Sequence, residues 1–390
     1  MKKMLTVILL TMISLGGAAQ VIRIGLYHDE IVNSVAINIT SGEYMIKTGG
    51  RRLGTIGEGS ILFATLRDSM VSLHDARGEY GVFKKVELSS LSLDGTFRIR
   101  PVTPALESGS YDDGLILEGN DVYMTLVNQV DFDKYIAGVL EAEVGPNAHR
   151  ELYKAHALLT RTYMLNHFDR HRDEGFSLCD GVHCQAYHGR AVYNPEIADA
   201  VFETSGEVVV DYHYKLITAA YHANSGGETQ RASDVWLKDV DYLQAVLDPY
   251  SLHQPASKWY DTIPFNTWKE YLVERGMESA KKVPEELLYV QQRHRKKHFV
   301  LDGDTLMMIR IREDWGWRST FFNMFPEEDD KIVVWGKGYG HGVGLSQEGA
   351  MNMASQDFSY KDIIKFYFFN IRIMHYEDLP ASSLPDLSYE

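Results

Sequence analysis

Asp131 to Asp169 reads DFDKYIAGVLEAEVGPNAHRELYKAHALLTRTYMLNHFD. The stretch predicts two helices with a tight corner at Gly145-Pro146. Asp131 or Asp133 suits the N-cap of the first, because a short side-chain oxygen satisfies free backbone N–H groups there. At about 100° per residue, Ile136, Val139 and Leu140 form one apolar stripe that includes Glu143. Glu141 falls on the opposite side, toward solvent. A carboxyl among apolar groups has its charged form disfavoured, which suits a general acid working near neutral pH. The competing reading is a buried glutamate that braces the fold against a base. The second helix runs from Asn147, a candidate N-cap, to about Phe168, and is apolar nearly all round. That pattern marks a central, buried helix. Lys154 and Arg161 share one of its faces, and a cation so placed requires a negative partner. Glu143 and an anionic substrate are the candidates.

Working outward, the chain has 390 residues with 45% hydrophobic and 12% aromatic side chains, room for one to three domains. Residues 1–19 read as a signal peptide. Lys2 and Lys3 precede an apolar run from Met4 to Leu15, with Gly17 and Ala19 before a cleavage point at Gln20. The run is short for a bilayer, and nothing later approaches a spanning length. A soluble, exported, monomer-capable chain is expected, periplasmic or extracellular. The 39 basic residues are outnumbered by 54 acidic ones, which argues against a nucleic-acid partner. The one basic cluster, Arg293 to Lys297, reads as a solvated loop.

Residues 20–120 read as a β-rich region in which runs such as VIRIGLY, SVAINIT and TFRIRPV recur between Gly, Asp and Ser. No catalytic constellation occurs there. After the two helices comes EGFSLCDGVHCQAYHGR, with both cysteines. Cys179 and Cys184 can close a disulfide, remain free thiols, or join His183 and a fourth donor (His171, Asp173 or His188) around a structural zinc. GEVVVDY and KLITAAYHA predict a hairpin about His213-Tyr214. The second strand delivers Asn224 to Thr229, a Gly-flanked polar loop that either presents Ser225 and its neighbours to a ligand or is a plain turn. Residues 257–300 read as a mostly helical connection, 304–325 as strand. GKGYGHGVG then alternates glycine from Gly336 to Gly344, so another backbone or a polymer can lie against that side. It fits neither a P-loop nor a dinucleotide fingerprint. His341 on the other side is either a core histidine or a groove contact. Two helices close the chain, and 121–390 reads as the catalytic part.

Taken together, the blocks YIAGVLEAEVGP, LYKAHALLTRTY, LCDGVHCQAYHG, AAYHANSGGET with DVW and DYL, and GKGYGHGVGLSQEGAMNMA resemble the SpoIID/LytB domain of bacterial cell-wall proteins. They stand in the family's order over roughly residues 121–375. The resemblance implies an α+β fold with a helical catalytic subdomain packed on β-rich parts around a glycan groove. It implies a lytic transglycosylase that cuts the MurNAc–GlcNAc β-1,4 bond of peptidoglycan and leaves 1,6-anhydro-MurNAc. Glu143 takes the catalytic position, with Lys154, Arg161, Thr229, Tyr242 and Ser251 as groove residues. Ser225 and His341 join them from the residue reading. Cys179, His183 and Cys184 match the block through which some members bind zinc, and His171 is the fourth ligand chosen here. Other members are described as amidase modifiers, so a binding module that stimulates a cell-wall amidase is the alternative. A zinc hydrolase acting on stem peptides is a third reading, but the chain lacks HExxH or a comparable motif.

Overall fold

The computed structural model describes residues 20–236 and 239–389. The expected signal peptide, residues 1–19, lies outside the described residues. The protein is α+β, with its strands concentrated toward the N-terminus.

Two antiparallel-rich sheets carry the first part. One places Leu178–Cys179, Val21–Leu26, Met124–Asp131, Gly114–Gly119, Lys85–Ser90, Glu43–Thr48 and Arg51–Gly57 side by side. The other runs Gly109–Asp112, Thr96–Thr103, Ser34–Ser41, Ile61–Arg67, Met70–Asp75 and Gly78–Phe83. Alternation along Ser34–Ser41 and Thr96–Thr103 buries Ile37, Ile39, Phe97 and Ile99, as a half-buried pleat requires. Gly114–Gly119 and Met124–Asp131 pair across position 120. Leu178–Cys179 adds in parallel to Val21–Leu26, so the sheet joins the cysteine block to the N-terminal strands.

Met124–Asp131 feeds directly into helix α1, Phe132–Glu143. Asp131 is the N-cap, its carboxylate accepting from the N–H groups of Asp133 and Lys134. Helix α2 spans Arg150–Asn166. Its cap is His149, not Asn147, which takes φ +65° in the corner after Pro146. Thus the turn uses Asn147 for its tolerance of the left-handed region, and the helix begins three residues later. Helix α3, Pro195–Glu203, is capped by Asn194 and packs against α1 and α2.

Three other expectations change. The hairpin about His213-Tyr214 shrinks to a bridge between Val210 and Leu216. Glu207–Asp211 instead pairs along its length with Ile371–His375 near the C-terminus. The run from Asp304 divides into a strand, a helix at Met308–Trp315 and a second strand at Phe322–Glu327. Finally, residues 257–338 build a unit with its own core around Trp268, Trp317, Phe322 and Val334. Its three-stranded sheet orders Lys258–Pro264, Lys331–Lys337 and Phe322–Glu327.

Candidate functional site

The two glutamates at the end of α1 are treated differently. Glu141 is not left to solvent. Its carboxylate accepts the backbone N–H groups of Val192 at 2.9 Å, Tyr193 at 2.9 Å and Asn194 at 3.2 Å. It clamps the loop that starts α3. Glu143 is half-buried and accepts one backbone N–H, from Ala186 at 3.1 Å. Tyr221 stands beside it. Burial first, then the charge of Glu143 and a hydrogen bond to it, raise the Tyr221 phenol far above its ordinary range. Tyr221 in turn meets the ring of His156 edge-on at 4.8 Å. His156 is buried, its Nε2 has no hydrogen-bond partner, and burial lowers its pKa to about 4. Among the described residues, no lysine or arginine pairs with Glu143.

Lys154 and Arg161 therefore do not meet Glu143. Arg161 is 1% exposed. It binds the Asp133 carboxylate at 2.9 Å, and the carbonyl groups of Thr204 and Glu207 at 2.8 and 3.0 Å. That is a staple across α1, α2 and the end of α3. Lys154 pairs with Glu151 and Glu203, each at 2.9 Å.

Ala186, which holds Glu143, follows the cysteine block. His171, Cys179, His183 and Cys184 bring four donor atoms within 4.8 Å of one another. Both cysteines are free thiols. Cys184 Sγ lies 3.5 Å from His171 Nε2, and His183 Nδ1 lies 3.8 Å from each sulfur. Glu174 binds His171 Nδ1 at 2.6 Å, which turns Nε2 to the cluster. Burial, then the neighbouring Cys184, pushes the Cys179 thiol up to about 12. Of the candidates for a fourth donor, His171 is inside the cluster, while Asp173 and His188 are outside it.

The remaining candidates form a second group. Ser225 and Ser251 are fully buried, 2.7 Å apart, and Ser225 donates to Asp248 at 2.7 Å. Asp248 also receives the Tyr367 hydroxyl at 3.1 Å, and burial raises its pKa. Thr229 Oγ1 takes the Val246 N–H, and the Tyr242 hydroxyl takes that of Thr218. These side chains hold loops together. His341 is half-buried, with Val343 N–H on Nδ1 at 3.0 Å, and burial lowers its pKa to about 4. The glycine row does receive a backbone, and it is the chain's own. A Cβ at Gly338 would sit 2.8 Å from Gly226 N, and one at Gly340 would sit 2.8 Å from His222 Cβ.

Sequence reasoning missed Tyr221, Asp248 and Arg295. Arg295 is no solvated loop residue. Its guanidinium binds the carbonyls of Glu228 and Ser225, each at 2.6 Å, and burial lowers its pKa to about 10. A cavity of about 410 Å³ lies elsewhere, lined by Arg23, His28, Glu118 and Phe176 and not by Glu143.

A family model described as SpoIID, stage II sporulation protein, matches residues 120–212. That segment contains Glu143, Ala186 and the Cys/His cluster. Relatives include an uncharacterized protein of Brachyspira hyodysenteriae, 27% identical over 72% of this chain and 82% of its own length. Stage II sporulation protein D of Bacillus subtilis is 28% identical over 62% of this chain and 74% of its own. Over residues 120–212 the chain is similar to the SpoIID family. It is also similar to the amidase enhancer of Bacillus subtilis, 27% identical over 60% of this chain and 39% of the relative. The SpoIID match ends before Ser225, so the second group of candidates lies outside it.

Proposed function

We propose that this chain is an exported peptidoglycan lytic transglycosylase with Glu143 as its single acid/base. The observation that carries the reading is the contrast at the end of α1. Glu141 has its oxygens occupied by three backbone donors, whereas Glu143 has one and meets no cation. A carboxyl so placed can exchange a proton with a ligand. Ordinary glycosidases need two carboxyl groups flanking the bond. Here Glu143 protonates the leaving glycosidic oxygen as the C1–O bond breaks. The MurNAc C6 hydroxyl then bonds to C1, and Glu143 takes its proton back. No water enters. Ala186 N–H and Tyr221 orient the carboxyl.

The Cys₂His₂ donor set fits a structural zinc, with Glu174 fixing the His171 tautomer. A bound zinc would pin the loop that carries Ala186. Metal analysis of reduced protein should give about one zinc per chain, in line with a closed four-ligand site. A metal-free protein with a Cys179–Cys184 disulfide would overturn this.

Glu143→Gln should abolish release of anhydro-muropeptides from purified sacculi, read by mass spectrometry. Full activity in that variant would sink the mechanism. The similarity to an amidase enhancer favours a second reading, a module that binds glycan and stimulates a cell-wall amidase. It predicts no product from the wild-type protein alone.

A further inference from the structure

The unit formed by residues 257–338 carries three large aromatic side chains on a sheet face that is exposed among the described residues. Along its three strands the inner face buries Trp259, Ile263, Ile332, Val334, Phe322 and Met324 against Trp268 and Trp317. The outer face only has to meet water, and threonine or lysine would serve. Instead it carries Tyr260 at 61% exposure, Trp335 at 54% and Phe325 at 42%. Tyr260 and Trp335 are register partners, their ring centroids 5.5 Å apart and the planes at 74°. Phe325 meets the same indole at 6.0 Å and 77°. The rings thus form a stepped apolar surface. Exposed apolar patches of this kind mark binding sites.

Two features say what lies there. The next register pair on the same face as Tyr260 and Trp335 is Lys258 and Lys337, both exposed, so a basic end adjoins the aromatic centre in a strongly acidic protein. The strand also continues the face onward. Alternate residues Trp335, Lys337 and Tyr339 are all exposed. Tyr339 exchanges both backbone hydrogen bonds with Asn224, at 2.8 and 3.0 Å. Asn224 stands three residues beyond Tyr221, which flanks Glu143. The aromatic face and the Glu143 side are therefore connected through one short backbone path.

We infer that this outer face is a second contact for the glycan strand, outside the bond-cutting centre. Sugar rings lie on Tyr260, Trp335 and Phe325 by their apolar C–H faces, and Lys258 and Lys337 meet the carboxylates that a muramyl glycan carries. The inference rests on the proposed glycan substrate but not on catalysis.

The test uses the full mature chain carrying Glu143→Gln, so that binding is read without digestion, by co-sedimentation with purified sacculi. Adding Tyr260→Ser, Trp335→Ser and Phe325→Ser should weaken binding at least about tenfold. Trp335→Phe should retain most of it. Lys258→Gln with Lys337→Gln should weaken it at low salt and matter less at high salt. In the active protein, the triple serine variant should still cut short glycan oligomers within about twofold of wild type while losing its preference for long strands. Sacculus binding unchanged in the triple variant would overturn the inference. So would a loss of self-association without a loss of binding, which would make the face a contact between copies. Binding lost by the triple variant in a protein that yields no anhydro product leaves this surface standing and removes the catalytic reading instead.

Discussion

The two ends of α1 carry the same chemistry and use it in opposite ways. At the first turn, Asp133 lies against Arg161, and that guanidinium also closes on two carbonyl groups. At the last turn, Glu143 has one backbone donor, a tyrosine beside it, and no cation. Both regions hold a carboxylate at a helix–helix junction. The saturated one cannot accept a ligand without breaking protein contacts. The unsaturated one can, and so the proposed function is placed at that end.

The largest expected effect tests the loose end. Glu143→Gln should lower anhydro-muropeptide release by at least about 10²–10⁴-fold. Glu141→Gln should keep that activity and instead lose about 1–3 kcal/mol of unfolding free energy, since its three N–H donors keep only a weaker acceptor. If the two variants exchange phenotypes, the assignment of the glutamates is reversed. At the saturated end, Arg161→Met should cost about 3–5 kcal/mol in denaturant unfolding, because Asp133 and buried carbonyls lose their partner. Unchanged stability with a raised KM would return Arg161 to the groove.

His156 gives a smaller effect of defined sign. Its folded pKa of about 4 lies below the ordinary value, near 6.5. The unfolded chain therefore binds a proton first as the pH falls. The contribution is fully present above about pH 6.5, and falls by about 3 kcal/mol at most on the way to pH 4. His156→Phe should flatten that part of a stability–pH curve, and an unaltered slope would contradict the buried neutral imidazole. Lys154→Ala should change least. Its partner Glu203 is well exposed, so a loss below about 1 kcal/mol is expected.

Much of this was legible in the chain. A cap at Asp131 or Asp133, the two-helix stretch, the β-rich first part and the grouping of Cys179, His183 and Cys184 follow from local pattern and short spacing, whereas the structure chose Asp131 as the cap and His171 over Asp173 and His188 as the fourth donor. Helical phase put Glu143 in the apolar stripe and Glu141 opposite it, yet both are half-buried. The error lay in what Glu141 does, since its three donors come from residues 192–194, about fifty positions away. Arg161 was recognisable as a buried cation in want of an anion, but the sequence offered several carboxylates and gave no distance to any. Tyr221 was hidden within an apolar strand, and Arg295 within a run of charges that reads as a wet loop.

The sequence by itself determined which groups exist and which lie on one helix face, because 3.6-residue periodicity, caps and turns act over a few residues. It also showed that a backbone could lie against the glycines from Gly336 to Gly344. Only the tertiary structure decided that residues 220–226 meet Gly338, Gly340 and Gly344 while Trp259 faces Gly336 and Arg295 faces Gly342, that Asp133 neutralises Arg161, and that Ala186 N–H and Tyr221 frame Glu143. Those outcomes depend on which distant segments pack together. That choice is made by burial summed over the whole core, and no local pattern encodes it.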